Sequence, residues 1–153
     1  MSVSPAAWPA VAAWADALAS TIASQHAHQY VAVVIRDESA DGLRLAGQRW
    51  GAGVDLGVMV SGATRVPLDA SICGRVFRTG MAALISDVRM DPNYRPLLGA
   101  GMRSELAVPI RIGDRAIGVV NLESPLISAF DIADLADVTT RIGEALGTFP
   151  KGG

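Results

Sequence analysis

The chain has 153 residues and a single cysteine, Cys73. One thiol excludes an internal disulfide framework and any multi-cysteine zinc site, and it fits a reducing compartment. Aromatic residues make up only 5% of the chain, so the core has to be built from Val, Ile, Leu and Ala rather than from stacked rings. Charged residues, at 18%, fall short of the usual quarter or about that, which predicts that surface is buried against something such as a second copy of the chain. Lysine is almost missing: of the 13 basic residues only Lys151 is one. No Lys or Arg precedes Arg36, so the Ala-rich N-terminus lacks the positive region of a signal peptide, and Asp16 among small residues argues against a membrane span. A net charge of -2 excludes the dense basic field that a nucleic-acid partner needs. The expectation is one domain over residues 1–153, cytoplasmic, with neither nucleic acid nor membrane as partner.

What is present is a change of hydrophobic period along the chain. Val11, Trp14, Leu18 and Ile22 recur at spacings of three and four between Pro5 and Ala23, which places them on one stripe of a helix. Near the other end Ser128 precedes Asp131 by three positions, a capping-box-like start. Ile132, Leu135, Thr139, Ile142 and Leu146 then repeat at helical spacing until Gly147. Between these helices the period is two. YVAVVIRD (30–37) and GLRLAGQRW (42–50) read as a hairpin, and VMVSGATRVPLD (58–69) holds a third strand. ASICGRVFRTG (70–80) reads as a short helix with Ser71 as cap and Gly80 in the left-handed turn that ends it. AALIS (82–86) is a fourth strand.

The segment RSELAVPIRIGDRAIGVVNLES (103–124) reads as a last hairpin around Gly113-Asp114, a two-residue loop suited to a type II′ turn. Regular pairing sets Ile110 opposite Ile117, Val108 opposite Val119 and Leu106 opposite Asn121. The other face carries Ala107 with Val120, Pro109 with Gly118 and Arg111 with Ala116. This predicts helices packed on the small-residue face and a ligand space over the bulky one. Pro109 should sit at a bulge or a non-donating position, because it has no N–H for the ladder.

The order helix, hairpin, strand, short helix, strand, long loop, hairpin, helix resembles the GAF domain. So do the motifs PLDASICGRVFRTG (67–80), ISDVRMDPNY (85–94), the 103–124 hairpin and AFDIADLADVTTRIGEALG (129–147), which together cover about residues 6–147. The resemblance implies an α+β, GAF/PAS-like fold, with an antiparallel sheet of about six strands, terminal helices on one face and a small-molecule pocket on the other. It leaves function open, because the same fold serves sensors, photoreceptors and a methionine sulfoxide reductase.

The expected ligand-binding residues are Trp50, Ser71, Ile72, Cys73, Tyr94, Leu97, Arg103, Ser104, Glu105 and Asn121, with Arg95 an alternative to Arg103 for meeting an anionic group. No catalytic or metal-ligating residue and no particular cofactor is assigned. Tyr94 and Leu97 belong to the long loop 87–104, a length that often marks a lid; its acidic and basic residues can equally form local turns and ion pairs. The helix start at Ser71 would stabilise a small anion. Resemblance to the GAF-type reductases implies a thiol at Cys73, but the resolving and catalytic cysteines of that cycle have no counterpart here, and RPLLGAGMR (95–103) stands where the catalytic one is expected. His26 and His28 would share a strand face as metal ligands, yet nothing nearby supplies a third. The expected function is a non-enzymatic, small-molecule sensory domain. It would dimerise through its terminal helices and signal to a separate protein. A thiol-dependent enzyme and a ligand-free dimerisation module are the alternatives.

Overall fold

The computed structural model describes residues 2–26, 29–39, 42–51, 64–96 and 101–151. Helix α1 (Trp8–Gln25) starts at a proline and buries Val11, Trp14, Leu18 and Ile22, the stripe read from the sequence, together with Ala15 and Ala19. The two alanines let it approach the sheet closely: a Cβ at Gly47 would lie 2.7 Å from the Ala15 backbone. Helix α2 (Ile72–Thr79) is capped as expected, with the Ser71 hydroxyl accepting from the Gly74 amide at 2.8 Å and Gly80 in the left-handed region at φ 68°.

Helix α3 (Ile132–Leu146) differs from its expected start and phase. Its cap is Asp131, which accepts from the Asp134 amide at 2.9 Å while the Asp134 carboxylate accepts from the Asp131 amide at 2.8 Å. Ser128 takes a left-handed turn before it, at φ 54°. The first turn is thus fixed by polar capping rather than by the core, and Ile132 is 70% exposed. Burial falls on Val138 and Ile142, with Leu135 and Leu146 at its margin. The indole of Trp14 ties the terminal helices together by donating to the Ala145 carbonyl at 2.8 Å.

The strands are β1 (Tyr30–Arg36), β2 (Leu43–Trp50), β3 (Arg65–Val66), β4 (Ala83–Ile85), β5 (Ser104–Ile112) and β6 (Arg115–Ser124). They form a 6-stranded sheet in the order β3-β2-β1-β6-β5-β4, and every pair is antiparallel. Of the expected third strand, Arg65 and Val66 pair with Arg44 and Leu43; residues 58–63 lie outside the described residues. Among the described residues no helix is long and apolar enough to cross a membrane.

The last hairpin corrects the sequence reading. The Gly113-Asp114 loop and the Arg111–Ala116 pair are as expected, with Gly113 at φ 63°. A bulge follows at once: Ile110 pairs with Gly118, so Ile117 is an extra residue and every pair beyond it slips by one. Val108 faces Val120, Leu106 faces Leu122 and Ala107, not Leu106, faces Asn121. Because side chains alternate, a slip of one residue exchanges the faces of a strand relative to its partner. Leu106, Val108 and Ile110 accordingly pack with Val31, Val33, Val120, Leu122 and the two terminal helices. Ala107 and Val119 lie on the opposite face with Tyr30, Ala32, Val34 and the α2 residues Ile72, Cys73 and Val76. The predicted layout is inverted for β5 but not for β6 beyond the bulge: Leu106, Val108 and Ile110 face the helices and Ala107 faces α2, while on β6 Val120 faces the helices and Val119 and Asn121 the cavity side, as expected. Pro109 lies past the end of β4, whose pairing with β5 reaches no further than Ala107.

Candidate functional site

The bulge sets the register that brings Glu105 of β5 directly opposite Glu123 of β6. Both carboxyl groups point to the α2 face, and both are almost fully covered, at 3% and 1% exposure. Two residues back along β6, on the same face, Asn121 is buried as well. These three side chains, with Ser71, Ile72 and Cys73 at the start of α2 and Arg95 at the rim, surround a cavity of about 30 Å³. That is room for about one water-sized group.

The electrostatics of this floor follow from its burial. Desolvation pushes the Glu105 carboxyl well above its ordinary value, and the charge of Glu123 and a hydrogen bond to it add to the rise. Burial also raises Glu123, to about 7, against hydrogen bonds from Tyr94, Glu105 and Asn121 that favour its charged form. Of the two, Glu105 is held protonated the more strongly, so when the pair carries one charge it lies on Glu123, with Glu105 donating to it. Asn121 Nδ2 lies 3.5 Å from Glu123 Oε2, and its Oδ1 is buried without a hydrogen-bond partner. An unmatched buried acceptor is costly and rare, so it marks a place where a donor is expected.

The roof comes from the loop after β4. A single 3₁₀ turn (Val88–Met90) is capped by Asp87, and Asp91 then accepts from the Asn93 amide at 2.9 Å and pairs with Arg75 of α2 at 2.9 Å. That pairing turns Tyr94 inward, where its hydroxyl donates to Glu123 Oε1 at 3.1 Å. Arg95 donates from Nε to the Ala70 carbonyl at 3.0 Å. The loop's described part before residue 97 thus combines a contact onto the site floor, through Tyr94, with the local turns and ion pairs that the sequence allowed.

Of the expected site residues, Ser71, Ile72, Cys73, Glu105 and Asn121 line the cavity, and Tyr94 reaches it through Glu123. Trp50 instead packs at a tilt of 45° on the buried ring of Tyr30, with centroids 4.5 Å apart. Ser104 points away from Glu105; its hydroxyl donates to the Leu126 carbonyl at 2.6 Å and accepts from the Ala129 amide, fastening the segment before α3. Arg103 donates to the Met102 carbonyl and is half-buried. Leu97 lies outside the described residues. The site residue absent from the expected set is Glu123. Its signal was the period of two from Asn121, already an expected site residue; the bulge adds that its partner is Glu105.

Cys73 is buried, and its thiol is pushed well above its ordinary value by desolvation first and then by the charges of Glu105 and Glu123. Such a thiol is a poor nucleophile, because the thiolate is the reactive form. Of the two histidines, His28 lies outside the described residues. His26 ends α1 with its Nε2 3.2 Å from Asp137 and its Nδ1 3.7 Å from Asp134. Among the described residues no group of three or more His, Cys, Asp or Glu is placed to hold a metal ion.

A family model described as GAF domain matches residues 12–147. Protein YtsP of Bacillus subtilis (strain 168) is 31% identical over 70 residues, which is 46% of this chain and 42% of that protein. The match therefore spans less than half of that relative. Among solved structures, the free methionine-R-sulfoxide reductase from Neisseria meningitidis, in complex with its substrate, has a TM-score of 0.70 at 23% identity, over 92% of this chain and 86% of that one. The GAF domain from Acinetobacter phosphoenolpyruvate-protein phosphotransferase has a TM-score of 0.64 at 16% identity, over 92% and 87% of the two chains. At these identities the likeness is one of fold.

Proposed function

Because the chain belongs to the GAF domain family, we propose that it is a small-molecule-binding sensory domain whose ligand presents an ammonium or similar donor group to Glu105, Glu123 and Asn121. The observation that carries this reading is the orphaned Asn121 Oδ1 beside two buried carboxyl groups. Three acceptor side chains converge on a space the size of one heavy atom, and a primary ammonium offers three donors to match. The same floor repels an anion, so an anionic end of the ligand belongs at the rim, where Arg95 lines the cavity mouth. A small zwitterion fits both ends, and Ile72 with Val66 and Pro67 gives its middle an apolar wall.

Ligand entry has to move the Tyr94 loop, and signalling follows from that movement and from the sheet. We place the output in a separate protein or in a homodimer formed through α1 and α3. The exposed face of α1 carries small side chains, Ala13 and Ala17 among them, over which helices approach closely.

A second reading, a thiol-dependent reductase, draws on the likeness to the Neisseria meningitidis enzyme and on the place of Cys73 in the cavity wall. The protonated state of that thiol and the lack of a second cysteine oppose it. Native mass spectrometry of freshly purified protein decides between them when paired with an assay on free methionine-R-sulfoxide. A basic ligand of discrete mass, lost on denaturation, with no turnover of the sulfoxide supports the sensor. Turnover that disappears in Cys73→Ser replaces it with the enzyme.

A further inference from the structure

The two carboxyl groups of the floor carry one negative charge between them only while a proton bridges them. We infer that the site exchanges that proton for its ligand: Glu105 holds the proton against Glu123 until an ammonium group enters the cavity, and then releases it to solvent. The O–H bond of Glu105 breaks, the proton leaves to the buffer and the ammonium takes up the hydrogen bonds of both carboxylates. One positive charge enters as one departs, so the buried site keeps a net charge of -1. This inference rests on the ammonium reading of the site and concerns how that reading is regulated.

The geometry makes the exchange necessary. Glu105 and Glu123 are opposite each other on neighbouring strands and almost wholly buried. The guanidinium of Arg75 is paired with Asp91 at 2.9 Å, and its charge is the smallest of the causes acting on Glu105. Two buried like charges at such range exclude each other unless a cation lies between them. The groups that face the pair are few. From α2 they are Cys73 and Arg75, whose guanidinium is held by Asp91. From the roof they are Tyr94, Asp91 and Arg95, which lines the same cavity and donates to the Ala70 carbonyl, and from the start of β5 Arg103, whose charge reaches Tyr94. From β1 there is Tyr30, and from β6 Asn121. The phenols and the thiol are all held protonated by burial and by the pair's own charge. None of them competes as the proton source near neutrality, which leaves Glu105.

The test uses methylammonium chloride as probe and reads the side-chain signals of the chain's 2 tyrosines by NMR, with a sodium chloride series as the ionic-strength control. Expected is a saturable shift of the Tyr94 ring whose apparent affinity rises about tenfold for each unit by which pH is raised above neutrality, where Glu123 is charged and Glu105 still holds the one proton to be released, and more steeply below it, where Glu123 binds a proton as well. Glu105→Gln keeps the shape and a donor toward Glu123 but has no proton to release, so its affinity should fall and its slope should flatten. Infrared spectroscopy of the unaltered protein gives an independent reading: a buried carboxylic-acid C=O band at neutral pH that the probe abolishes. Saturable binding with no pH slope and an unchanged band overturns the exchange and leaves the ammonium reading intact. No saturable shift at any pH overturns the ammonium reading, and the exchange with it.

Discussion

The Tyr94 hydroxyl donates to Glu123 Oε1 at 3.1 Å, so the residue that covers the cavity is fastened to the residue that floors it. Tyr94→Phe removes one donor to a buried carboxylate and should destabilise the fold by about 1–3 kcal/mol. The same bond lowers the Glu123 titration, so its loss should move that titration to higher pH. Carboxyl-carbon NMR of labelled glutamate checks the direction. A Glu123 titration that moves downward or stays in place would show that the bond is not formed in solution.

Stability should fall as pH rises toward neutrality. Burial holds Glu105 and Glu123 above the ordinary 4.5, with Glu123 at about 7, so across that window the native protein binds more protons than the unfolded chain. With the unfolded state binding fewer, unfolding free energy declines through the window and levels off only once Glu105 has also lost its proton. Asp37 and Asp91 are held below the ordinary 3.8 by Arg65 and Arg75. Their contribution is lost only as pH falls below the aspartate range. Urea midpoints should therefore be higher at about pH 4.5 than at about pH 7.5, and Glu123→Gln should flatten the difference. A midpoint that climbs toward neutrality contradicts this.

Gly74 is held in place by the backbone beside it. A Cβ there would come within 2.2 Å of the Leu68 carbonyl oxygen and 2.5 Å of that of Pro67. Gly74→Ala should thus cost about 1–3 kcal/mol through forced displacement of α2, read as a lowered melting temperature. An unchanged melt would mean that the 67–70 segment yields freely.

The buried thiol should be silent toward Ellman's reagent in the folded protein and react at once in denaturant, since desolvation keeps Cys73 protonated. Prompt reaction of the native state near neutral pH would reopen thiol chemistry at this site.

The dimer surface has to be tested at an exposed position. Leu18 is 3% exposed and part of the core, so a charge there would report unfolding rather than dissociation. Ala17, exposed on α1 and beside Arg141 and Glu144 of α3, is the better probe. Ala17→Arg should halve the mass measured by sedimentation equilibrium while leaving the circular dichroism unchanged. A parent protein that is already monomeric removes the dimer from the proposal.

How legible this molecule was depended on which interactions were local. The α1 stripe, the Ser71 cap and the Gly80 turn could be read directly, because period, hydroxyl and glycine each act within a few residues. The GAF resemblance correctly gave the fold and brought Ser71, Ile72, Cys73, Glu105 and Asn121 together. That Glu105 shares the face of Asn121 was not legible. It depends on one extra residue, Ile117, and strict alternation has no signal for a bulge. The same slip hid Glu123 as the partner of Glu105. The start of α3 was misread because Asp131 and Asp134 compete with Ser128 and Asp131 for the same spacing of three, and only the backbone geometry decides between them.

The alternation along β6 sets a short mechanical path. Glu123 faces the cavity, while the next residue back, Leu122, is packed with Trp14, Leu18 and Ile142 in the helix-side core. One peptide unit therefore separates the cavity floor from the helix-side core. In the proposed sensory role the sheet would serve as a thin diaphragm, since a single strand separates the carboxylates from the side chains packed on the helices.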